Sequence, residues 1–214
     1  MVIEKSLIKV ILEFWFEENP LKKRVLLLTG SPGVGKTTVL LRVVEALKAK
    51  GYSVGGMLSR EVRSGGVRVG FEVLDLSNDK RGWLAHVNQP SGPQVGKYRV
   101  NLEDLNSIGA EAIVKAAESL DVVVIDEVGP MELFSERFRE AVKRAVESGK
   151  VVVGVVHWKA RDRLIEEVKA REDTEIITVT SENRNKLHEI IIEKIQTILQ
   201  KEKWKTYGTT KRAN

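Results

Sequence analysis

Gly30-Ser31-Pro32-Gly33-Val34-Gly35-Lys36-Thr37 gathers three glycines, a lysine and two hydroxyls into one short run. These residue types at this spacing suit a chain of phosphates. A tight glycine loop turns successive backbone N–H groups toward one anion. Glycines at 30, 33 and 35 let the backbone approach without a Cβ in the way. Lys36 supplies a flexible cation for β- and γ-phosphates, and Thr37 offers a hydroxyl to Mg²⁺. The helix expected to follow points its positive end at the same place. The candidate nucleotide-binding residues are therefore Gly30, Ser31, Pro32, Gly33, Val34, Gly35, Lys36, Thr37 and Thr38, with Mg²⁺ as cofactor.

A second constellation closes an apolar run. Val122-Val123-Val124-Ile125 leads directly into Asp126-Glu127. Proteins with this phosphate loop use a further carboxylate on a neighbouring strand tip for magnesium. Asp126 is the natural candidate, so Thr37 and Asp126 form the expected metal set. Glu127 stands where it can orient or deprotonate an attacking water, and it joins Lys36 as a catalytic candidate. The carboxylate pair favours hydrolysis over transfer to an acceptor. A small-molecule or nucleotide kinase stays open, because Arg60, Arg63 and Arg68 could serve a closing lid.

Weaker candidates surround these two. Asn183 and Arg184 follow the last expected strand, the edge where such folds often seat the nucleobase. Lys159, Arg161 and Arg163 follow the Val151–Val156 run, and one of them could reach a γ-phosphate; Arg137 and Arg139 have a lesser case. His157 directly follows a buried strand and could sense that phosphate. No His-x₃-His spacing joins His86, His157 and His188 into a zinc site. Trp83 and Trp158 read as core or rim packing.

Positioning these residues requires strands that end at one edge of a sheet. Apolar runs alternate with helix-period segments, which predicts a parallel sheet flanked by helices, an α/β fold. Strands are expected at Val25–Leu28, Val54–Leu58, Val122–Ile125, Val151–Val156 and Glu175–Val179. Helices are expected at about Lys36–Lys50, Leu102–Leu120, Ser135–Ser148, Arg161–Ala170, and from a Thr180 or Ser181 cap to about Lys201. Glu61–Arg63 and Val67–Leu76 flank Ser64-Gly65-Gly66, which reads as an added antiparallel hairpin. Asn88–Gly96 reads as an exposed loop. In the first 23 residues, Leu7, Ile8, Ile11, Leu12 and Trp15 form a helical stripe that Val10, Phe14 and Phe16 widen. Such a helix either packs on the domain or makes a dimer or membrane-surface contact.

Composition narrows the class. The 214 residues suffice for one substantial domain, expected at 24–200 between an N-terminal extension 1–23 and a tail 201–214. Cysteine is absent, which removes disulfides, thiolate catalysis and cysteine-bound zinc. The net charge of +5 sits mostly in the tail, with five basic residues and one acidic, while Val25–Gln200 is neutral. A nucleic-acid-binding domain would carry its own basic face. An ATP-dependent nucleic-acid-binding module is therefore disfavoured, and only the tail keeps it open. No stretch reaches the 18 apolar residues of a membrane span, and no signal peptide is read, so a cytoplasmic location is expected.

Three segments together carry a resemblance: Gly30–Thr37, the run Val124-Ile125-Asp126-Glu127-Val128-Gly129-Pro130-Met131-Glu132-Leu133-Phe134-Ser135, and Val179-Thr180-Ser181-Glu182-Asn183-Arg184. Glu61-Val62-Arg63, Gly70-Phe71 and Val95–Asn101 fit alongside. Over about residues 24–200 the chain resembles the thermophile-type P-loop nucleoside triphosphatases, the family of the cancer-related nucleoside-triphosphatase. That resemblance implies a slow, base-tolerant hydrolase of ATP, GTP, CTP and other nucleoside triphosphates, yielding diphosphate and phosphate. It also implies a RecA-like or nucleotide-kinase-like three-layer sheet. By motif, the loop would hold phosphates, Thr37 and Asp126 magnesium, and Glu127 the water. The N-terminal segment and basic tail lie outside the resemblance, so oligomeric state and partners do not follow from it.

Overall fold

Strands buried on both faces need apolar residues at every position, and the central runs of this chain supply them. A computed structural model describes residues 23–210. The described residues form a nine-stranded sheet. Its strands are β1 (Val25–Thr29), β2 (Val54–Ser64), β3 (Val67–Asp75), β4 (Arg81–His86), β5 (Gln94–Val95), β6 (Tyr98–Val100), β7 (Val122–Val128), β8 (Val151–Val156) and β9 (Thr174–Thr178). Their spatial order is β5-β6-β4-β3-β2-β7-β8-β1-β9. From β2 to β9 every neighbouring pair is parallel. The other half is antiparallel throughout.

Two apolar layers cover the parallel half, and strand alternation assigns each side chain to one of them. Leu26, Leu28, Val122, Val124, Val151, Val153 and Val155 face α1 (Lys36–Ala49) and α5 (Leu187–Thr210). Val25, Leu27, Val123, Ile125, Val152 and Val156 face the opposite layer. That layer contains α2 (Glu111–Ser119), α3 (Glu136–Glu147) and α4 (Arg163–Lys169). The expected three-layer α/β fold with a mainly parallel core is therefore observed.

The antiparallel part is larger than one hairpin. β2 is a single strand of 11 residues that contains both the expected Val54–Leu58 strand and Glu61–Arg63. Gly65 and Gly66 turn with positive φ, as anticipated. Beyond β3 lie three strands that the sequence did not announce, and β5 falls inside the segment read as a loop. These strands depend on distant partners: Asp104 Oδ2 accepts the backbone N–H of Trp83, and Leu84 O accepts that of Asn101. Glu61 ties this wing together by pairing with Arg63 and Arg68, while Arg68 also donates to the Tyr98 hydroxyl.

The helix expected at Leu102–Leu120 is interrupted. A turn at Leu102–Asp104, capped by Asn101, passes into a π-helical stretch at Leu105–Ala110 before α2 begins. Thr180 does accept the backbone N–H of Asn183, but it caps an irregular turn, and regular helix starts at Leu187. That last helix passes Lys201 and reaches Thr210. The N-terminal apolar segment and the end of the basic tail lie outside the described residues. Among the described residues, no helix is long and apolar enough to cross a membrane.

Candidate functional site

The tips of β1, β7 and β8 meet at one edge of the sheet, because all three run parallel with matched register. After β1 the chain enters the glycine loop. Gly30 has φ 146° and is crossed by the segment after β9; a Cβ there would lie 2.6 Å from Val179 O. Gly35 takes φ 107° at the N-cap of α1, a conformation that favours glycine. The Lys36 ammonium donates to the carbonyls of Gly30 (3.0 Å) and Ser31 (3.2 Å) and so lies over the loop.

Asp126 continues the alternation of Val122 and Val124 and therefore emerges on the α1 side. The Thr37 hydroxyl donates to Asp126 Oδ1 at 3.4 Å, joining the first turn of α1 to the end of β7 across 89 residues of sequence. Asp126 is 1% exposed, and its Oδ2 is buried without a hydrogen-bond partner. Burial chiefly pushes this carboxyl up to about 7, the Glu127 charge adds, and Thr37 and Lys36 oppose. A divalent cation at Oδ2 reverses that balance by favouring the charged form. An orphaned carboxylate oxygen beside a hydroxyl is a hard-oxygen donor set that fits Mg²⁺, which commonly takes one or two carboxylates plus substrate phosphates. Among the described residues no group of three or more His, Asp and Glu forms an all-protein metal cage.

Just past Asp126 the pairing of β7 with β8 shifts register, between Ile125 and Val128. Val128 takes the inward place that strict alternation would give residue 127. Glu127 is thereby freed toward the site. It is half-buried; burial raises its carboxyl above the ordinary range, and the Lys36 charge opposes this.

The weaker candidates separate clearly. His157 sits at the tip of β8, where its backbone N–H is bonded to Val128 O. Its Nδ1 accepts the N–H groups of Lys159 (3.3 Å) and Ala160 (3.0 Å), so the neutral ring carries its proton on Nε2. Burial, then the Lys36 and Lys159 charges, push its pKa down. The Lys159 ammonium lies 4.4 Å from the centroid of the Trp158 ring, and Trp158 is 44% exposed, on a rim rather than in the core. Arg184 reaches the loop, donating to Val34 O at 3.4 Å. Asn183 has both ends of its amide engaged in its own turn, by Thr180 N–H and Thr178 O. Arg137 pairs with Glu111, Arg163 with Glu167, and Arg139 forms a fork with Asp162.

One residue escaped the sequence reading. Glu132, on a 3₁₀ turn at Glu132–Phe134, is only 5% exposed. Burial pushes its carboxyl up to about 8; backbone hydrogen bonding oppose this, while the Glu127 and Asp126 charges add to it. A carboxyl raised in the folded state is most favourable below its ordinary value. Between about 4.5 and 8 the unfolded chain has lost the proton that the folded chain keeps. Stability then falls by about 1.4 kcal/mol for each pH unit crossed and levels off above the folded value. Glu132→Gln should flatten this part of the stability–pH profile and raise the melting temperature at pH 8.5 relative to the parent, as measured by thermal melts across pH.

Against this geometry, the NTPase family model (NTPase_1) matches residues 25–192. The nucleoside-triphosphatase THEP1 of Methanosarcina acetivorans is 48% identical over 164 residues, covering 76% of this chain and 91% of that protein. The chain belongs to the THEP1 nucleoside-triphosphatase family. The Thermofilum pendens THEP1 is 46% identical over 162 residues, with 75% and 89% covered. A human cancer-related nucleoside triphosphatase has a similar solution structure, with TM-score 0.71 and 37% identity over 81% of this chain and 98% of that one. The crystal structure of THEP1 from Aquifex aeolicus gives TM-score 0.69 and 29% identity, covering 79% and 97%. The sheet described above is thus that of the THEP1 fold.

Proposed function

We propose that this THEP1 member is a magnesium-dependent nucleoside triphosphatase that converts nucleoside triphosphates to diphosphate and phosphate. The observation that carries this reading is the junction of Thr37 and Asp126, with Glu127 freed beside it. In the proposed complex, amides of Gly30–Thr38 and the Lys36 ammonium hold the phosphate chain. Thr37 and Asp126 would hold Mg²⁺, which would supply neutralisation of charge on the phosphate chain. Glu127 accepts a proton from the attacking water; the new P–O bond forms as the bond from the γ-phosphorus to the β–γ bridging oxygen breaks. In this reading His157, with its ring proton on Nε2, donates toward the γ-phosphate from the end of β8.

The same geometry supports broad base tolerance and slow turnover. The converging residues address phosphate, and the expected base contact, Asn183, uses both ends of its amide locally. Arg137, Arg139 and Arg163, three of the arginines considered for the γ-phosphate, are each paired with a carboxylate, which disfavours them as arginine fingers. Such a finger is worth on the order of 10³- to 10⁵-fold.

Phosphate release from ATP, GTP and CTP by purified protein, with Mg²⁺ and no added acceptor, tests the reading. Turnover should appear with every nucleotide and vanish on chelation. Asp126→Asn should raise the Mg²⁺ concentration needed for half-maximal rate on the order of 10- to 100-fold. Turnover that needs an added nucleoside or nucleotide acceptor would replace hydrolysis with a kinase reaction.

A further inference from the structure

The proposed hydrolysis makes no use of Glu132, although it lies beside the groups that would perform it. We propose that Glu132 is a positioning residue: from beneath the site it supplies a hydrogen-bond donor that keeps the Glu127 carboxylate aimed at the attacking water. The inference rests on the reading of Glu127 as the group that receives the water's proton.

Gly129 provides the geometry. Its φ lies outside the left-handed region, so backbone conformation does not demand glycine here, but a Cβ would press on two carboxyl groups. A Cβ at Gly129 would stand 3.2 Å from Glu127 Oε1 and 3.2 Å from Glu132 Oε2. Both carboxyl groups therefore border the one side-chain position that Gly129 leaves open, near enough for one water to bridge them.

Burial provides the donor. A carboxyl that is 5% exposed, with no cation among the charges acting on it, is held in its neutral form. Neutral carboxyls carry an O–H, whereas ionised ones only accept. Glu132 also rests on a braced turn. Leu133 N–H bonds to Gly129 O at 3.1 Å, and Ser135 N–H to Glu132 O at 3.0 Å. Arg139 Nε donates to Leu133 O at 2.7 Å while its fork holds Asp162, the N-cap of α4. A group anchored this firmly can fix a neighbour's orientation.

The test uses the full chain with Glu132→Gln, Glu132→Ala and Gly129→Ala, read by MgATP hydrolysis, binding of a fluorescent ATP analogue and thermal melting. Glutamine keeps an N–H donor, so Glu132→Gln should hold kcat within about threefold of the parent. Glu132→Ala and Gly129→Ala should lower kcat on the order of 10- to 100-fold, with KM and analogue binding unchanged. The positioning role is wrong if folded Glu132→Ala keeps the parental kcat, or if Glu132→Gln falls as far as Glu132→Ala. Should Glu132→Ala not fold, a parental kcat in Gly129→Ala overturns it. A parent that hydrolyses no nucleoside triphosphate brings down the hydrolase reading itself, and this proposal with it.

Discussion

Glu127→Gln should leave triphosphate binding intact and slow hydrolysis on the order of 10²- to 10⁴-fold, the usual loss when a general base is removed. Glutamine matches the shape of glutamate but cannot take a proton at neutral pH. The loss should fall on kcat, because Glu127 projects from a register shift at the end of β7 while the phosphates are gripped by the loop after β1. Its environment suits the role. Partial burial raises its proton affinity, and the Lys36 charge opposes that rise. Single-turnover phosphate release, alongside equilibrium binding of a fluorescent ATP analogue, separates the two effects. A parental rate in Glu127→Gln would remove the residue from the reaction and leave Asp126 and the loop as a binding site alone.

What the sequence made legible follows from how locally each feature is encoded. The glycine loop is written in consecutive residues, and its chemistry depends on backbone freedom at Gly30 and Gly35. The structure gives both positive φ. Asp126 was readable because a run of four apolar residues ended at it, and alternation then placed it on the side of α1. Glu132 was hidden for the opposite reason. In sequence it resembles any acidic residue near the start of a helix, and its burial arises only when the turn after β7 folds down beside Gly129. β4 was hidden as well: Gly82 and Trp83 break any alternation, and the strand is held by Asp104 and Asn101 from a later segment. The π-helical stretch at Leu105–Ala110 changes helical phase by inserting backbone without a marked residue type. Non-local partners, not propensity, decide these elements.

The arginines make the same point about function. By sequence, Arg139 and Arg163 were candidates for the γ-phosphate because they lie near the β8 tip or the acidic motif. The fold commits Arg139 to a two-pronged contact with Asp162 and to Leu133 O, which fixes the turn carrying Glu132. Its contribution to the site is thus mechanical, through the backbone that it braces. Arg163 pairs with Glu167 one turn along its own helix. Arg184, by contrast, reaches the glycine loop at Val34 O.

Lys36→Ala should weaken triphosphate binding on the order of 100-fold, the scale of losing a charge-assisted contact to phosphate worth about 2.7 kcal/mol. The loop's amides remain in the variant, so residual binding should persist and be measurable by titration with a fluorescent ATP analogue. A second consequence distinguishes this lysine from a mere anchor. Its charge lowers the proton affinity of Asp126, Glu127 and His157 together. Without it, Glu127 must be deprotonated against a higher pKa, so the acid limb of the kcat/KM profile of residual hydrolysis should move to higher pH. His157 should at the same time protonate more readily. Both shifts have one sign and one cause, the loss of a cation beside all three groups. A Lys36→Ala profile that falls uniformly at every pH, with its acid limb unmoved, would confine Lys36 to holding phosphate and would break its proposed coupling to the group that activates water.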